Sequence, residues 1–213
     1  MKKTLIHSLT FPPDTISTGM IVSKIAKEIN NTQSNIEILA SSPQYNLKNS
    51  AEFSKINSKI FTTTVDDIPV NYVLSKPREF SNTARFFQWI TFNYHSIKFI
   101  YKNKNEYDNI LIFSYPPTMN LVCIFTSKIL KINTIYSLWE LYPEIAEKIE
   151  EAPNLILRKI FKLLDNLALN SVQKVVVNSD ELKKYLITSR KISENKINTC
   201  LLYTSDAADE VAG

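Results

Sequence analysis

Three loops of the sequence carry side chains that could bind or react with a ligand, and each follows a predicted β-strand. The first loop, residues 11–19, contains Asp14 and ends on Thr18 and Gly19. The missing side chain of Gly19 would let a phosphate approach the backbone N–H groups at a helix start. The alternative is a glycine that only eases a tight turn. Neither a glycine-rich dinucleotide fingerprint nor a P-loop is present.

The last of the three loops, residues 139–144, places two carboxylates directly after a buried strand. Glu140 and Glu144 are flanked by the aromatic rings of Trp139 and Tyr142. A carboxyl group beside apolar rings has its pKa raised, which suits a general base, and aromatic faces suit sugar rings. The alternative is that Glu144 caps the following helix and that both aromatic residues belong to the core. We expect the cap for Glu144, and for Glu140 both interpretations stay open.

Other reactive residue types do not form a recognisable site. His7 lies in an apolar strand and is predicted to be a hydrogen-bonded core residue, whereas His95 is predicted at the surface of a long aromatic helix. No Cys/His cluster has the spacing of metal ligands, and no nucleophile motif is present. The sequence therefore predicts neither a metal site nor covalent hydrolase chemistry.

Strands that alternate with helices must position these loops. The pattern predicts a first helix carrying Met20 and Ile29, with Ser17 or Thr18 as its cap. Strands are expected at 4–10, 35–41, 60–65, 70–74, 107–114, 132–138 and 174–177, and further helices at 81–104, 120–130, 154–170 and 180–187.

This alternation predicts an α/β fold with a Rossmann-like, mostly parallel sheet and helices on both faces. In such sheets ligands bind beyond the carboxyl ends of the strands. The three loops, which include the Ser-Tyr-Pro-Pro of residues 114–117, are therefore expected along one common rim.

Composition excludes several classes of protein. The chain has 213 residues, 44% hydrophobic and 22% charged, which is enough for one ordinary domain and excludes disorder. No apolar run is long enough for a membrane span or a signal peptide. Two cysteines make a disulfide framework unexpected and a cytoplasmic location the default. The formal net charge of +4 is too weak and dispersed to indicate nucleic-acid binding.

The end of the sequence differs in character from the rest. Residues 200–210, Cys-Leu-Leu-Tyr-Thr-Ser-Asp-Ala-Ala-Asp-Glu, resemble a translated transposase adapter from a sequencing library. The alternative is a genuine flexible C-terminus. We therefore expect residues 1–199 to be one domain and residues 200–213 to be an artefactual tail. Without the three acids of that tail the formal charge rises to +7, which is compatible with an acidic membrane surface or a phosphate-bearing substrate.

The helix predicted from about Ser81 to Lys104 mixes aromatic side chains with Arg85, Lys98 and Lys102. Such a helix could rest on an anionic membrane leaflet with its basic residues at the level of the headgroups. The alternative is an ordinary packed helix with a solvated basic end.

Taken in order, these motifs resemble the N-terminal, acceptor-side domain of a family 4 glycosyltransferase with the GT-B fold, in the style of bacterial enzymes of surface polysaccharide synthesis. The resemblance rests on the Phe-Pro-Pro-Asp of residues 11–14 with Gly19, on 107–117, on the Glu-Leu-Tyr-Pro-Glu of 140–144 and on the Val-Asn-Ser of 177–179. It covers essentially all of residues 1–199.

The resemblance implies retaining transfer of a sugar from a nucleotide-sugar to a lipid-linked or saccharide acceptor. It implies that Thr18 and Gly19 contact the donor diphosphate and that Asp14, Glu140 and Tyr142 face the acceptor, with Glu140 also the candidate catalytic residue. No metal or organic cofactor and no nucleic acid are implied, and the location is cytoplasmic, with peripheral contact to the inner membrane face. The family usually has a glycine where Thr18 stands and an aspartate where Glu140 stands.

The resemblance also implies that half of the enzyme is missing. In this family the donor site lies mainly in a C-terminal domain, so the 213-residue chain is predicted to be inactive by itself. Two alternatives are another GT-B enzyme, such as a nucleotide-sugar 2-epimerase, and a stand-alone Rossmann-like binding module.

Overall fold

The computed structural model describes residues 3–32, 35–45, 52–53, 55–74, 82–113, 117–141, 144 and 155–201. The described strands are β1 (Lys3–Ser8), β2 (Ile36–Ser41), β3 (Ile60–Val65), β4 (Ile68–Val73), β5 (Tyr107–Phe113), β6 (Asn133–Leu138), β7 (Lys174–Val177) and β8 (Ile197–Thr199). The described α-helices are α1 (Ser17–Asn31), α2 (Asn82–Lys102), α3 (Pro117–Ile129), α4 (Leu155–Ser171) and α5 (Asp180–Thr188).

The eight strands form one sheet in the order β3-β4-β2-β1-β5-β6-β7-β8. Every neighbouring pair is parallel except the hairpin of β3 and β4, whose turn is Asp66–Asp67. The predicted α/β class, with a Rossmann-like and mostly parallel sheet, is confirmed.

Helices cover both faces of the sheet. Because successive residues of a strand point to opposite faces, a central strand such as β1 contributes side chains to buried clusters on both faces. In β1, Leu5 joins a buried cluster with Phe92 of α2, whereas Ile6 joins a second cluster with Val22 of α1. The predicted helices on both faces are therefore confirmed. All six residues of β2 are buried, as expected for a strand inside a parallel sheet.

Four described residues adopt the left-handed backbone region although none is glycine. Asp66 and Asp67 form the hairpin turn with φ of 50° and 63°, and Lys131 and Lys191 each have φ of 57°. Two left-handed residues in a two-residue turn match the twist of a hairpin.

The structure corrects three details of the predicted elements. Neither Ser17 nor Thr18 caps α1, because the helix already begins at Ser17 and its N-cap is Ile16, which makes no side-chain capping hydrogen bond. Helix α3 begins three residues earlier than expected, with Pro117 at its first position, where a proline needs no hydrogen-bonded N–H. The three-residue strand β8 was not predicted.

Among the described helices, none combines the length and the apolar character needed to cross a lipid bilayer.

Candidate functional site

The rim of the candidate site is formed by the ends of three neighbouring strands. β5 lies between β1 and β6, and all three run parallel, so their carboxyl ends meet at one edge of the sheet. The chain passes from β1 to β2 on one side and reaches β5 on the other, which makes this edge a topological switch point. The predicted common rim is confirmed for the strand ends, while residues 114–116 and 142–143 of the loops lie outside the described residues.

Asp14 fastens the loop after β1 to the segment after β2. Its side chain is only 1% exposed, Oδ2 accepts a hydrogen bond from the backbone N–H of Gln44 at 2.8 Å, and Oδ1 accepts one from Tyr45 at 2.9 Å. The carboxylate therefore points into the protein and orders the rim. Contact between Asp14 and an acceptor remains a prediction.

We expect Asp14→Asn to lower the free energy of unfolding by about 2 kcal/mol. The substitution keeps the shape of the side chain but turns one acceptor oxygen into a donor, which leaves one of the two backbone N–H groups without its acceptor. Urea unfolding monitored by circular dichroism measures the loss. The matched control is Glu28→Gln on the exposed side of α1, which removes the same charge and should change stability by less than about 0.5 kcal/mol. Equal effects of the two substitutions would show that Asp14 does not hold the loop.

A second contact fixes the proline segment of the same loop, whose Pro12–Pro13 peptide bond is cis. The Tyr72 hydroxyl donates a hydrogen bond to the backbone carbonyl of Pro12. Burial, together with the charge of Asp14, raises the pKa of Tyr72 far above its usual value, so the hydroxyl keeps its proton. The backbone before α1 is thereby anchored to the core of the sheet.

Gly19 lies in the first turn of α1 with its Cα against this loop. A Cβ built on Gly19 would lie 3.4 Å from the carbonyl oxygen of Asp14 and 3.5 Å from the backbone nitrogen of Phe11. The missing side chain therefore faces protein backbone, and no described glycine has a positive φ. This geometry supports close packing of helix and loop, which differs from the eased turn given as the alternative for Gly19, and its contact with a donor diphosphate stays a prediction.

The N-terminus of α1 faces the rim without a neutralising partner of its own. Its N-cap residue Ile16 makes no side-chain capping hydrogen bond, and its first turn contains no acidic residue. Thr18 is half-buried in that turn. Close by, Thr10 is fully buried, and its Oγ1 has no hydrogen-bond partner among the described residues. Since the first N–H groups of a helix carry a partial positive charge, this corner of the rim suits an anion.

The loop after β6 brings an aromatic residue and an exposed carboxylate to the same rim. The ring of Trp139 packs edge-on against Phe113 at the end of β5, with centroids 5.5 Å apart, and its Nε1 donates to Ser137 at 2.9 Å. Glu140 is exposed, as an acid that contacts substrate must be. Tyr142 lies outside the described residues.

Glu144 binds a cation that the sequence analysis did not identify. Its carboxylate accepts two hydrogen bonds from Arg190, at 3.1 Å and 2.7 Å, and one from the Tyr185 hydroxyl at 2.9 Å. Burial acts to raise the pKa of Glu144, but the hydrogen bonds and charge of Arg190 outweigh it and hold the pKa below its usual value. The residues directly after Glu144 lie outside the described part of the chain, so the cap expected for Glu144 stays a prediction.

Arg190 is only 2% exposed and links this loop to α4. Its Nη1 donates to the side chain of Asn166 at 2.8 Å, and its Nη2 lies 3.5 Å from Oδ2 of Asp165. Burial raises the pKa of Asp165 to about 7, although the charge of Arg190 opposes the rise. No sequence signal connects Arg190 to Glu144, because the two residues are 46 positions apart and share no motif.

His7 is packed in the core of the protein. His7 is 2% exposed, its Nε2 lies 3.3 Å from the Ser96 hydroxyl, and its ring packs against Phe92. The prediction of a core histidine is confirmed. Among the described residues, no group of histidine, cysteine and acidic side chains is arranged to hold a metal ion.

No known protein family matches the sequence, and no curated protein matches it. Solved structures do match the fold. Sucrose-phosphate synthase from Thermosynechococcus elongatus aligns with 100% of this chain and 53% of its own length, with a TM-score of 0.60 and 12% identity. A glycosyltransferase from Rickettsia africae aligns with 99% of this chain and 48% of its own, with a TM-score of 0.53 and 18% identity.

A third similar structure, Anabaena HepE in complex with UDP-glucose, aligns with 99% of this chain and 49% of its own length, with a TM-score of 0.55 and 12% identity. The fold is that of one half of a GT-B glycosyltransferase. This chain spans about half the length of the structures that it matches. At these identities the likeness shows the fold alone. In this chain the fold places the N-terminus of α1 and the loop after β6 at one edge of the sheet.

Proposed function

We propose that the chain is the acceptor-side half of a retaining family 4 glycosyltransferase, which moves a sugar from a nucleotide-sugar to a lipid-linked or saccharide acceptor in cell-surface polysaccharide synthesis. The observation that carries the proposal is the N-terminus of α1, which lies at the topological switch point with no capping side chain and no acid in its first turn. The UDP-glucose complex of a structure with the same fold supports a nucleotide-sugar as the donor.

In this proposal the N-terminus of α1 helps to stabilise the leaving diphosphate. Backbone N–H groups at Thr18 and Gly19 would stabilise the negative charge that develops as the bond to the sugar breaks. These groups are already fixed, because the loop before them is fastened through Asp14 and Tyr72. Donors held in place before the reaction need no reorganisation when the charge appears, which is why a rigid loop suits this task.

The acceptor would lie on the other side of the rim. Glu140 is exposed directly after β6 and is our candidate for contact with the acceptor hydroxyl, with Tyr142 beside it. Asp14 would shape the acceptor side through the backbone that it holds, since both of its oxygens are engaged by Gln44 and Tyr45.

We further propose that residues 200–213 are an artefactual tail and that a donor-binding domain followed residue 199 in the original protein. The 213-residue chain by itself is then inactive, and sugar transfer by the purified chain would contradict this. A cytoplasmic location with peripheral contact to the inner membrane face fits an enzyme whose acceptor is lipid-linked.

The phosphate role of α1 can be tested on the chain as it exists. We expect millimolar pyrophosphate or UDP to shift the backbone amide signals of residues 17–19 in NMR spectra. Thr18→Asp should weaken this binding about tenfold, because its negative charge repels the phosphate. The helix should remain folded, since an acid in the first turn of a helix is favourable. Lys24→Gln, on the exposed side of the same helix, makes an equal change in charge and is the control.

Two results would contradict the assignment. Shifts elsewhere in the chain but not at residues 17–19 would place the phosphate at another site. An equal loss of affinity in Thr18→Asp and Lys24→Gln would show that only the net charge of the chain matters.

A further inference from the structure

One buried arginine contacts two carboxylates next to the loop after β6. Arg190 follows α5 in the chain, Glu144 ends the loop, and Asp165 belongs to α4. The arginine carries one positive charge, whereas the two carboxylates together can carry two negative charges. Glu144 and Asp165 therefore compete for a single cation at the point where α4, α5 and this loop meet.

The arginine is shared unequally between the two carboxylates. Glu144 accepts hydrogen bonds from Nε at 3.1 Å and from Nη2 at 2.7 Å, which is the two-point contact that a guanidinium group makes best. Nη1 donates to the backbone carbonyl of Lys162 and to the side chain of Asn166. Oδ2 of Asp165 lies 3.5 Å from Nη2, is buried, and has no hydrogen-bond partner among the described residues.

The two carboxylates also differ in their access to water. The side chain of Glu144 is 22% exposed, whereas that of Asp165 is 8% exposed. A buried oxygen without a hydrogen-bond donor is costly when it carries a charge. The arrangement therefore suits Asp165 in its neutral, protonated form. Burial accordingly raises the pKa of Asp165 to about 7, against the charge of Arg190 and together with that of Glu144.

Ionisation of Asp165 changes the balance between the two carboxylates. The charged form needs a donor, and the cation that pairs with it among the described residues is Arg190. A shift of roughly 0.6 Å would bring Nη2 to an ordinary N–H···O distance of about 2.9 Å from Oδ2. The carboxylates also repel each other, and because coupling is reciprocal, ionised Asp165 opposes ionised Glu144 as strongly as Glu144 opposes it. Since water can solvate the more exposed Glu144, Glu144 is the partner that Arg190 gives up.

The other titratable and charged groups around Asp165 do not change charge near pH 7. Burial raises the pKa of Cys123 on α3 to about 12, and burial together with the charge of Asp165 raises that of Tyr136 on β6 far above its usual value. Tyr185 of α5 donates its hydroxyl to Glu144. The remaining described groups are lysines, which carry positive charge; they lie at positions 128 on α3, 159 and 162 on α4, and 196 beyond α5.

We propose that Asp165 and Arg190 form a proton-controlled hold on the loop after β6: with Asp165 protonated, Arg190 binds Glu144 and fixes the loop, and with Asp165 ionised, Arg190 turns to Asp165 and the loop is released. A single charge change thus biases an element with two arrangements. The inference rests on the proposed function only in its consequence for Glu140, the candidate for contact with the acceptor. Asp165 and Arg190 are then positioning residues, and sugar transfer by the whole enzyme falls as the pH rises through neutrality.

NMR titration of the 213-residue chain from about pH 5.5 to about pH 8.5 tests the proposal. We expect the backbone amide signals of Glu140, Leu141 and Glu144 to move together with one midpoint near pH 7. The heteronuclear NOE of the same amides should fall on the high-pH side, because the released loop moves more freely on the fast timescale that this measurement reports.

Three variants assign the titration to Asp165. Asp165→Asn keeps the shape of the neutral acid and cannot ionise, so the loop signals should stay at their low-pH positions throughout. The matched control is Asp67→Asn in the exposed turn between β3 and β4, where asparagine tolerates the left-handed backbone, and it should leave the midpoint unchanged. Glu144→Gln removes the competing charge and should lower the midpoint, followed through the Nε–H signal of Arg190, by about one pH unit, which is a tenfold loss of proton affinity.

A loop titration near pH 7 that disappears in Asp165→Asn and persists in Asp67→Asn supports the proposal. Loop signals that do not move, a titration that persists in Asp165→Asn, or an NOE that rises with pH would each overturn it. A contribution from His95, whose charged neighbours are Lys59 and Lys98, would persist in Asp165→Asn and count against the proposal.

Circular dichroism verifies that each variant is folded. Should Asp165→Asn be unfolded, Glu144→Gln decides instead, and an unchanged midpoint in that variant overturns the proposal. Pyrophosphate binding is measured on the signals of residues 17–19, so failure of the proton-controlled hold and failure of the proposed function are distinguishable.

Discussion

Arg190→Met is expected to lower the free energy of unfolding by about 3–5 kcal/mol, the largest effect of any substitution considered. Arg190 is buried and gives two hydrogen bonds to Glu144, one to Asn166 and an ion pair to Asp165. Methionine fills a similar volume but leaves the partly buried Glu144 carboxylate without its cation. Urea unfolding at pH 7.5, followed by circular dichroism, measures the difference.

Two further variants separate the buried charge from an ordinary surface pair. Lys183→Met removes an ion pair to Glu194, whose side chain is 71% exposed, and should cost less than about 1 kcal/mol. Glu144→Gln combined with Arg190→Met should recover part of the loss, because the uncompensated charge is then gone. A loss for Arg190→Met no larger than for Lys183→Met would mean that the cluster contributes little.

His7 is expected to make the stability depend on pH below neutrality. Burial lowers the pKa of His7 from 6.5 to about 4. In the unfolded chain His7 takes up a proton near its ordinary pKa of 6.5, whereas in the folded protein it does so only near pH 4. Between these values the unfolded state binds more protons, so stability is complete above pH 6.5 and falls as the pH decreases, by about 3 kcal/mol in total.

The chain has only two histidines, so NMR titration of the imidazole signals measures this directly. The His7 signals should stay those of the neutral ring down to about pH 4. Unfolding of His7→Gln from pH 4 to 7 provides the control, since subtracting its curve from that of the wild type removes the contribution of the carboxyl groups. A His7 ring that titrates near pH 6.5 would contradict the prediction.

The sequence predicts the fold well because the sheet is buried on both faces. Strands such as β2 and β5 are short apolar runs separated by polar loops, and helix α2 has a long aromatic pattern, so element type follows from local hydropathy. The common rim follows in turn, because parallel strands place their carboxyl ends together.

What the sequence could not predict depends on contacts between distant residues. The contact of Asp14 with an acceptor, which the family resemblance implies, stays a prediction. Its hydrogen bonds from Gln44 and Tyr45 could not be predicted, because they depend on the pairing of β1 with β2. The N-cap of α1 was predicted at Ser17 or Thr18 because serine and threonine are good capping residues. In the structure Ile16 occupies the N-cap position, so Ser17 and Thr18 both lie inside the helix. The apolar residues of α4 look like core residues in the sequence, and only the packing shows which of its two apolar sides is left in water.

Four residues have a left-handed backbone without being glycine: Asp66, Asp67, Lys131 and Lys191. Their identity affects the conformational entropy of the denatured chain as well as the strain of the native one. Glycine at such positions would relieve roughly 1 kcal/mol of backbone strain each. It would also widen the range of conformations open to the unfolded polypeptide, which disfavours folding by about 0.4–1 kcal/mol each. These two contributions nearly cancel. A chain with two glycines in 213 residues can therefore use aspartate and lysine at left-handed positions with little net change in its free energy of unfolding. Its denatured ensemble is correspondingly narrower than that of a glycine-rich protein of the same length.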